Sequence, residues 1–153
     1  MKTDLKRWLP LFLVAISFVF LSCNGNNPDD DLEGIITIKM RNDESTWINL
    51  PGISCVAMSS ANNFIVWPGE HGDLHVGITD VGKKRLSQVT SLPSSGWVYQ
   101  IAVQLNHCYI YKLEDYGYER KNYYLKIYVK DWIKSTSGGI IGAEVQYCEW
   151  NPK

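Results

Sequence analysis

The chain has 153 residues, of which 45% are hydrophobic and 20% charged, a balance that is typical of globular proteins and excludes a disordered chain. Residues 1–22 carry a net charge of +2, so the remainder carries −3 when the whole chain carries −1. This remainder has neither a basic excess nor a clustered stripe of lysine and arginine, so the usual electrostatic basis for binding nucleic acid is absent. About 130 residues bury one hydrophobic core but rarely two, so we expect one domain.

The first segment has the features of an export signal. Lys2, Lys6 and Arg7 precede an almost unbroken apolar run at residues 8–21. This run is shorter than the roughly 20 apolar residues that cross a bilayer comfortably, and a small residue follows it. We therefore interpret residues 1–22 as a cleaved signal peptide.

The end of this segment, Leu21-Ser22-Cys23, resembles a bacterial lipobox. In such a motif the cysteine thiol receives diacylglycerol, and the amine that cleavage frees is acylated as well. Because each buried methylene contributes about 0.8 kcal/mol, several acyl chains anchor a protein stably where one chain does not. We expect Cys23 to be the lipid attachment site, and the alternatives are an incidental cysteine after an ordinary signal peptide or an uncleaved anchor.

Residues 23–33 are expected to be the lipidated cysteine and a flexible tether, because residues 24–31 contain no apolar side chain. The acidic run at residues 29–31 resembles the signal that directs some Bacteroidetes lipoproteins to the outer face of the outer membrane. The alternative for this run is an ordinary solvated charge cluster. The predicted location is therefore the outer membrane. If the acidic run is such a signal, the domain is exposed at the cell surface.

Residues 34–150 are predicted to form a single all-β domain. Apolar and polar residues alternate with a period of two, as at Ile36, Ile38 and Met40, and β-branched and aromatic residues are abundant. Turn signals separate about eight short strands, at residues 36–41, 54–58, 64–67, 74–78, 97–103, 107–113, 123–129 and 140–147. This pattern predicts a compact antiparallel β-sandwich or barrel.

The remaining cysteines and the histidines indicate neither catalysis nor metal binding. Cys55, Cys108 and Cys148 form at most one intramolecular disulfide, and all three pairings stay open. His71 and His75 would lie about 13 Å apart on a strand, too far for one metal ion. No Gly-x-Ser-x-Gly motif is present, so we predict a non-enzymatic protein without cofactor or metal.

The aromatic content provides the main indication of binding, since five tryptophans and nine tyrosines follow the leader. On the strand at 123–129, alternation directs Tyr124 and Tyr128 outward beside lysines, while Tyr109 and Tyr111 share one face of the preceding strand. If these strands pair, the four tyrosines form a platform for a sugar ring or a peptide. The alternative is that these rings pack across strands or against a second sheet.

The last part of the domain carries a recognisable pattern. It comprises Gly96-Trp97, Ala102-Val103, Tyr109, Tyr128-Val129, Asp131-Trp132-Ile133 and residues 135–143. This pattern resembles a lipoprotein domain family of unknown function that is common in Bacteroides, and the resemblance spans most of residues 34–148. Where the family usually has a glycine-rich turn, this chain has residues 105–108. The resemblance implies a lipidated envelope protein and transfers no catalytic residue.

These features predict a non-enzymatic lipoprotein that is held at the outer membrane by its N-terminal lipid. Its expected partner is a glycan or another envelope protein, and nucleic acid is not expected. The alternative is a structural or assembly subunit of an outer-membrane complex with no small ligand.

Overall fold

A computed structural model describes most of the predicted domain. The described residues are 34–44, 46–50, 53–66, 74–115 and 122–152. The predicted signal peptide at 1–22, the lipid attachment site Cys23 and the tether up to residue 33 lie outside these residues, as does His71. Within the described ranges, the structure contains no helix with the length and hydrophobicity that a bilayer span requires.

The described residues form nine β-strands and one short 3₁₀ turn. The strands are β1 (Ile36–Arg41), β2 (Trp47–Leu50), β3 (Ile53–Met58), β4 (Asn63–Val66), β5 (Leu74–Asp80), β6 (Gln100–Ala102), β7 (Cys108–Asp115), β8 (Asn122–Lys134) and β9 (Ile140–Glu149). The 3₁₀ turn, Leu86–Gln88, lies between β5 and β6. Two antiparallel sheets result, a larger one in the order β1-β9-β8-β7-β5 and a smaller one in the order β2-β3-β4-β6. The prediction of an all-β sandwich is confirmed.

The main core lies between the two sheets. Its largest buried side chains come from inward-facing positions on both sheets: Met40, Ile48, Val56, Phe64, Ile78, Tyr109, Tyr111, Leu125, Ile127, Val129 and Val145. Phe64 of the smaller sheet meets Tyr109 of the larger one edge-to-face, with ring centroids 5.1 Å apart. The alternation of β8 is confirmed, because Leu125, Ile127 and Val129 face this core.

A second apolar cluster covers the opposite face of the larger sheet. Between β5 and β6, residues 81–97 contain almost no regular structure and contribute Leu86 and Val89 to this cluster. These two side chains pack with Cys108, Ile110 and Tyr128 of the sheet. We call residues 81–97 the strap. Because of the strap, the larger sheet is covered by apolar side chains on both of its faces.

The structure differs from the predicted strands at residues 97–103 and at β2. Ile78 and Val98 exchange two backbone hydrogen bonds of 2.9 and 3.0 Å, so the start of that run bridges to the larger sheet. Its continuation, β6, pairs with β4 of the smaller sheet. The sequence did not indicate one strand of the smaller sheet, β2.

The three cysteines of the domain lie in separate places. Cys55 is buried in the core between the sheets, whereas Cys108 and Cys148 belong to the cluster beneath the strap. Cys108 lies on β7 and Cys148 on β9, with β8 between them, so their Cα atoms are separated by two strand spacings, about 10 Å. A disulfide requires a Cα distance below about 7 Å, so this arrangement disfavours every pairing that the sequence left open.

Candidate functional site

The four predicted site tyrosines do not share a face of the larger sheet. Tyr109 and Tyr111 pair in register with inward-facing residues of β8 and have no exposed surface. Tyr124 and Tyr128 point to the other face, where the strap covers Tyr128. The expected platform of four tyrosines is therefore wrong. The signal that predicts the correct faces is the pair Lys112 and Glu114, since polar residues at alternate positions of β7 mark its outward face.

The two inward tyrosines are groups of the core. The Tyr109 hydroxyl donates a hydrogen bond of 2.9 Å to the carbonyl oxygen of Ala102 and accepts one of 2.8 Å from the backbone N–H of Gln104. The hydroxyl of Tyr111 lies near the Cys55 thiol, and burial raises the pKa of both tyrosines. These phenols are neutral groups of the core, so their geometry gives no support to a role in ligand binding.

Tyr128 belongs to the cluster beneath the strap, with only 3% of its surface exposed. The Arg85 guanidinium lies 4.9 Å from the centre of its ring, a distance typical of a cation–π contact. Its hydroxyl donates a hydrogen bond of 3.0 Å to Oδ1 of Asn106. Tyr128 therefore packs against neighbouring strands, which is the alternative to a ligand platform, and the strap covers it as well.

Tyr124 is half-buried and belongs to a chain of polar contacts on the outward face of the larger sheet. Its hydroxyl donates to Oε1 of Glu114 at 3.4 Å, and Nζ of Lys112 lies 2.9 Å from the other oxygen of that carboxylate. The same ammonium group is 4.8 Å from the centre of the Trp97 ring. The carboxylate thus holds both the lysine and the tyrosine in place.

A cleft opens beside Tyr124 at the end of the domain. It has a volume of about 110 Å³ and is lined by Asn122, Tyr123, Tyr124, Glu149, Trp150 and Asn151. The backbone N–H of Trp150 donates a 3.0 Å hydrogen bond to the carbonyl oxygen of Tyr124. The Lys126 ammonium lies 4.8 Å from the centre of the Trp150 ring. We call this the Tyr124–Trp150 cleft. The sequence did not indicate Trp150, because it follows the last strand and belongs to no periodic pattern.

A second cleft lies at the other end of the outward face, beside Tyr128. Its volume is about 330 Å³, and its lining residues are Lys83, Lys84, Arg85, Gln88, Asn106 and Tyr128. We call this the cationic cleft. Composition did not single it out, because three adjacent cations hardly change the charge balance of a chain of this length.

A histidine–carboxylate pair supports the loop of the cationic cleft. Nδ1 of His107 lies 2.8 Å from Oδ2 of Asp80, and Oδ1 of that carboxylate accepts a 2.7 Å hydrogen bond from the backbone N–H of Gly82. The adjacent thiol of Cys108 faces the apolar cluster, where burial raises its pKa to about 12. It is therefore protonated at neutral pH.

Metal ligands do not converge in the part of the chain that the structure describes: it has no group of three or more histidine, cysteine, aspartate or glutamate side chains able to hold an ion. Comparison of the chain with protein families, curated proteins and solved structures finds no match. The resemblance carried by residues 96–143 therefore stays a prediction.

Proposed function

We propose that this chain is a lipid-anchored envelope protein that binds a glycan at the Tyr124–Trp150 cleft without converting it chemically. The observation that carries the proposal is the composition of this cleft, in which Tyr124 and Trp150 lie together with two asparagines and a glutamate. Aromatic rings stack on the apolar faces of sugar rings, and amide and carboxylate groups bind their hydroxyls.

The neighbouring contacts favour a prearranged site. Glu114 holds the Tyr124 hydroxyl, and Trp150 is held by a backbone hydrogen bond and by the Lys126 ammonium. Ordering side chains on binding costs affinity, so rings that are already fixed lose less free energy when a sugar arrives. The cleft is smaller than most ligand pockets, so we propose that it contacts part of one sugar unit rather than a long stretch of a polysaccharide.

The order of the segments supports attachment to an envelope membrane. Ten residues, 24–33, separate the predicted lipid site Cys23 from the first described residue, Gly34. If these ten residues form the tether that the sequence predicts, their root-mean-square span is about 18 Å, and the domain stays close to the membrane surface. The resemblance to Bacteroides lipoprotein domains supports the same location.

A glycan array tests this proposal with the full-length protein in a non-ionic detergent. We expect selective retention of some glycans, and we expect Tyr124→Ala to weaken it roughly tenfold or more, which corresponds to about 1.4 kcal/mol. Tyr99→Ala is the matched control, because this tyrosine is 61% exposed and lies outside the cleft. Tyr128→Ala is unsuitable as a binding variant, since that ring is buried.

Two results would contradict glycan binding at this cleft. One is equal retention by Tyr124→Ala and the unchanged protein. The other is no retention on the array together with a stable complex in pull-downs from outer membranes, which would favour the assembly-subunit alternative. Circular dichroism of each variant separates lost binding from lost folding.

A further inference from the structure

We propose that the cationic cleft is a second binding site, which takes a sulfate or phosphate ester carried by a saccharide. It shares no lining residue with the Tyr124–Trp150 cleft. The inference therefore goes beyond the proposed function and stands whether or not a glycan binds at the other cleft.

The first argument is the sign of the charges. The described lining contains three consecutive cations, Lys83, Lys84 and Arg85, and no carboxylate. None of the three forms an ion pair with a carboxylate among the residues that the structure describes, and all three are exposed. Adjacent like charges repel one another, and a bound anion would relieve this repulsion.

The second argument is the orientation of the two amides in the cleft. Oε1 of Gln88 accepts a 2.8 Å hydrogen bond from the backbone N–H of Arg85, and Oδ1 of Asn106 accepts one of 3.0 Å from the Tyr128 hydroxyl. Both amide oxygens are thus engaged within the protein, which leaves the NH₂ groups as the donors that face away from these bonds. Amide donors, ammonium groups and a guanidinium together match an oxyanion, which only accepts hydrogen bonds.

The third argument is the rigidity of the loop that carries the cations. Gly82 has a φ of +82°, which a glycine adopts without strain, and its backbone is fixed on both sides. Its N–H donates to Asp80, and its carbonyl oxygen accepts a 2.9 Å bond from the backbone N–H of Cys108. His107 in turn holds Asp80. Because the loop backbone is already fixed, binding has to order the lysine side chains but not the backbone that carries them.

The Arg85 guanidinium gives the cleft a fixed contact for the ester group. It lies over the Tyr128 ring, which holds its planar fork in one orientation for bidentate contact with an oxyanion. The cleft has a volume of about 330 Å³ and is wide open to solvent. The saccharide that carries the ester would therefore lie across its mouth rather than inside the protein.

The test compares dextran sulfate with unmodified dextran as ligands of the full-length protein in a non-ionic detergent. We expect binding to dextran sulfate alone, with weakening as ionic strength rises from about 0.01 M to about 0.15 M, where the screening length falls from about 30 Å to about 8 Å. Lys83→Gln with Lys84→Gln should weaken binding about tenfold. Arg85→Lys keeps the charge but removes the planar fork of the guanidinium. A loss of affinity in this single variant therefore indicates specific contact by Arg85.

The matched control is Lys39→Gln with Lys134→Gln, which removes two exposed lysines from other parts of the larger sheet. Equal weakening in both double variants would indicate diffuse attraction and overturn the proposal, as would equal binding of unmodified dextran. Competition identifies the ester: glucose 6-sulfate or glucose 6-phosphate should displace dextran sulfate better than glycerol phosphate does. Equal displacement by glycerol phosphate, a soluble lipid headgroup, would overturn the assignment to a saccharide.

Discussion

The reactivity of each cysteine thiol depends on where the residue lies in the sandwich. Cys55 lies in the main core, and Cys108 lies beneath the strap with a pKa raised to about 12 by desolvation. The nucleophile of a thiol is its thiolate, so the burial of Cys108 removes its reactivity at neutral pH. The sequence indicated no catalytic cysteine and left the disulfide pairing open, because pairing depends on which strand faces are buried and not on the local pattern.

These positions predict the chemistry of the thiols in the purified protein. After unfolding without reductant, alkylation followed by mass spectrometry should label Cys55, Cys108 and Cys148, because their separation prevents a disulfide. In the folded protein at pH 8, Cys108 should stay unlabelled, since its raised pKa keeps it protonated until the pH approaches about 12. Recovery of a disulfide-linked peptide, or rapid labelling of Cys108 in the folded protein, would contradict this prediction.

At the scale of strands, the sequence predicts where the strands lie better than it predicts which segments cover them. A period of two identified most strands and the inward face of β8, because each strand buries one face against the other sheet. It did not reveal the strap, which covers Tyr128 through contacts between residues about 40 positions apart. A tyrosine that alternation directs outward is therefore buried by a segment with no periodic signal.

The strap predicts a specific ranking of stabilities. Tyr128→Ala should lower the free energy of unfolding by roughly 3–5 kcal/mol, because it removes a buried ring from the second cluster. Tyr128→Phe should cost only about 1 kcal/mol, the contribution of the hydrogen bond to Asn106. Tyr99→Ala, at an exposed position, should change stability by no more than about 0.5 kcal/mol. Urea denaturation measures all three, and equal stabilities would show that the strap does not pack on Tyr128.

At the scale of the whole molecule, the two clefts lie on one face of the larger sheet. They are marked by Tyr124 and Tyr128 on β8, whose Cα atoms are about 13 Å apart along the strand. Lys126 lies between them and donates a 3.0 Å hydrogen bond to the carbonyl oxygen of Leu86, so it fastens the strap to the sheet. If both proposed sites bind, a single charged glycan of a few units has the length to reach from one cleft to the other.

If the protein binds envelope glycans as proposed, it has to stay near the membrane, and Cys23 is the residue predicted to hold it there. Replacing Cys23 by alanine removes the thiol that is predicted to receive diacylglycerol, and without several acyl chains we expect the membrane affinity to fall to a marginal level. We expect the wild-type protein to remain in the membrane fraction after washing at high salt. We expect the Cys23→Ala variant to appear in the soluble fraction. Cys148→Ala, the control, should remain with the membranes. Retention of Cys23→Ala in washed membranes would contradict lipid anchoring and would favour an uncleaved leader or a partner protein as the anchor.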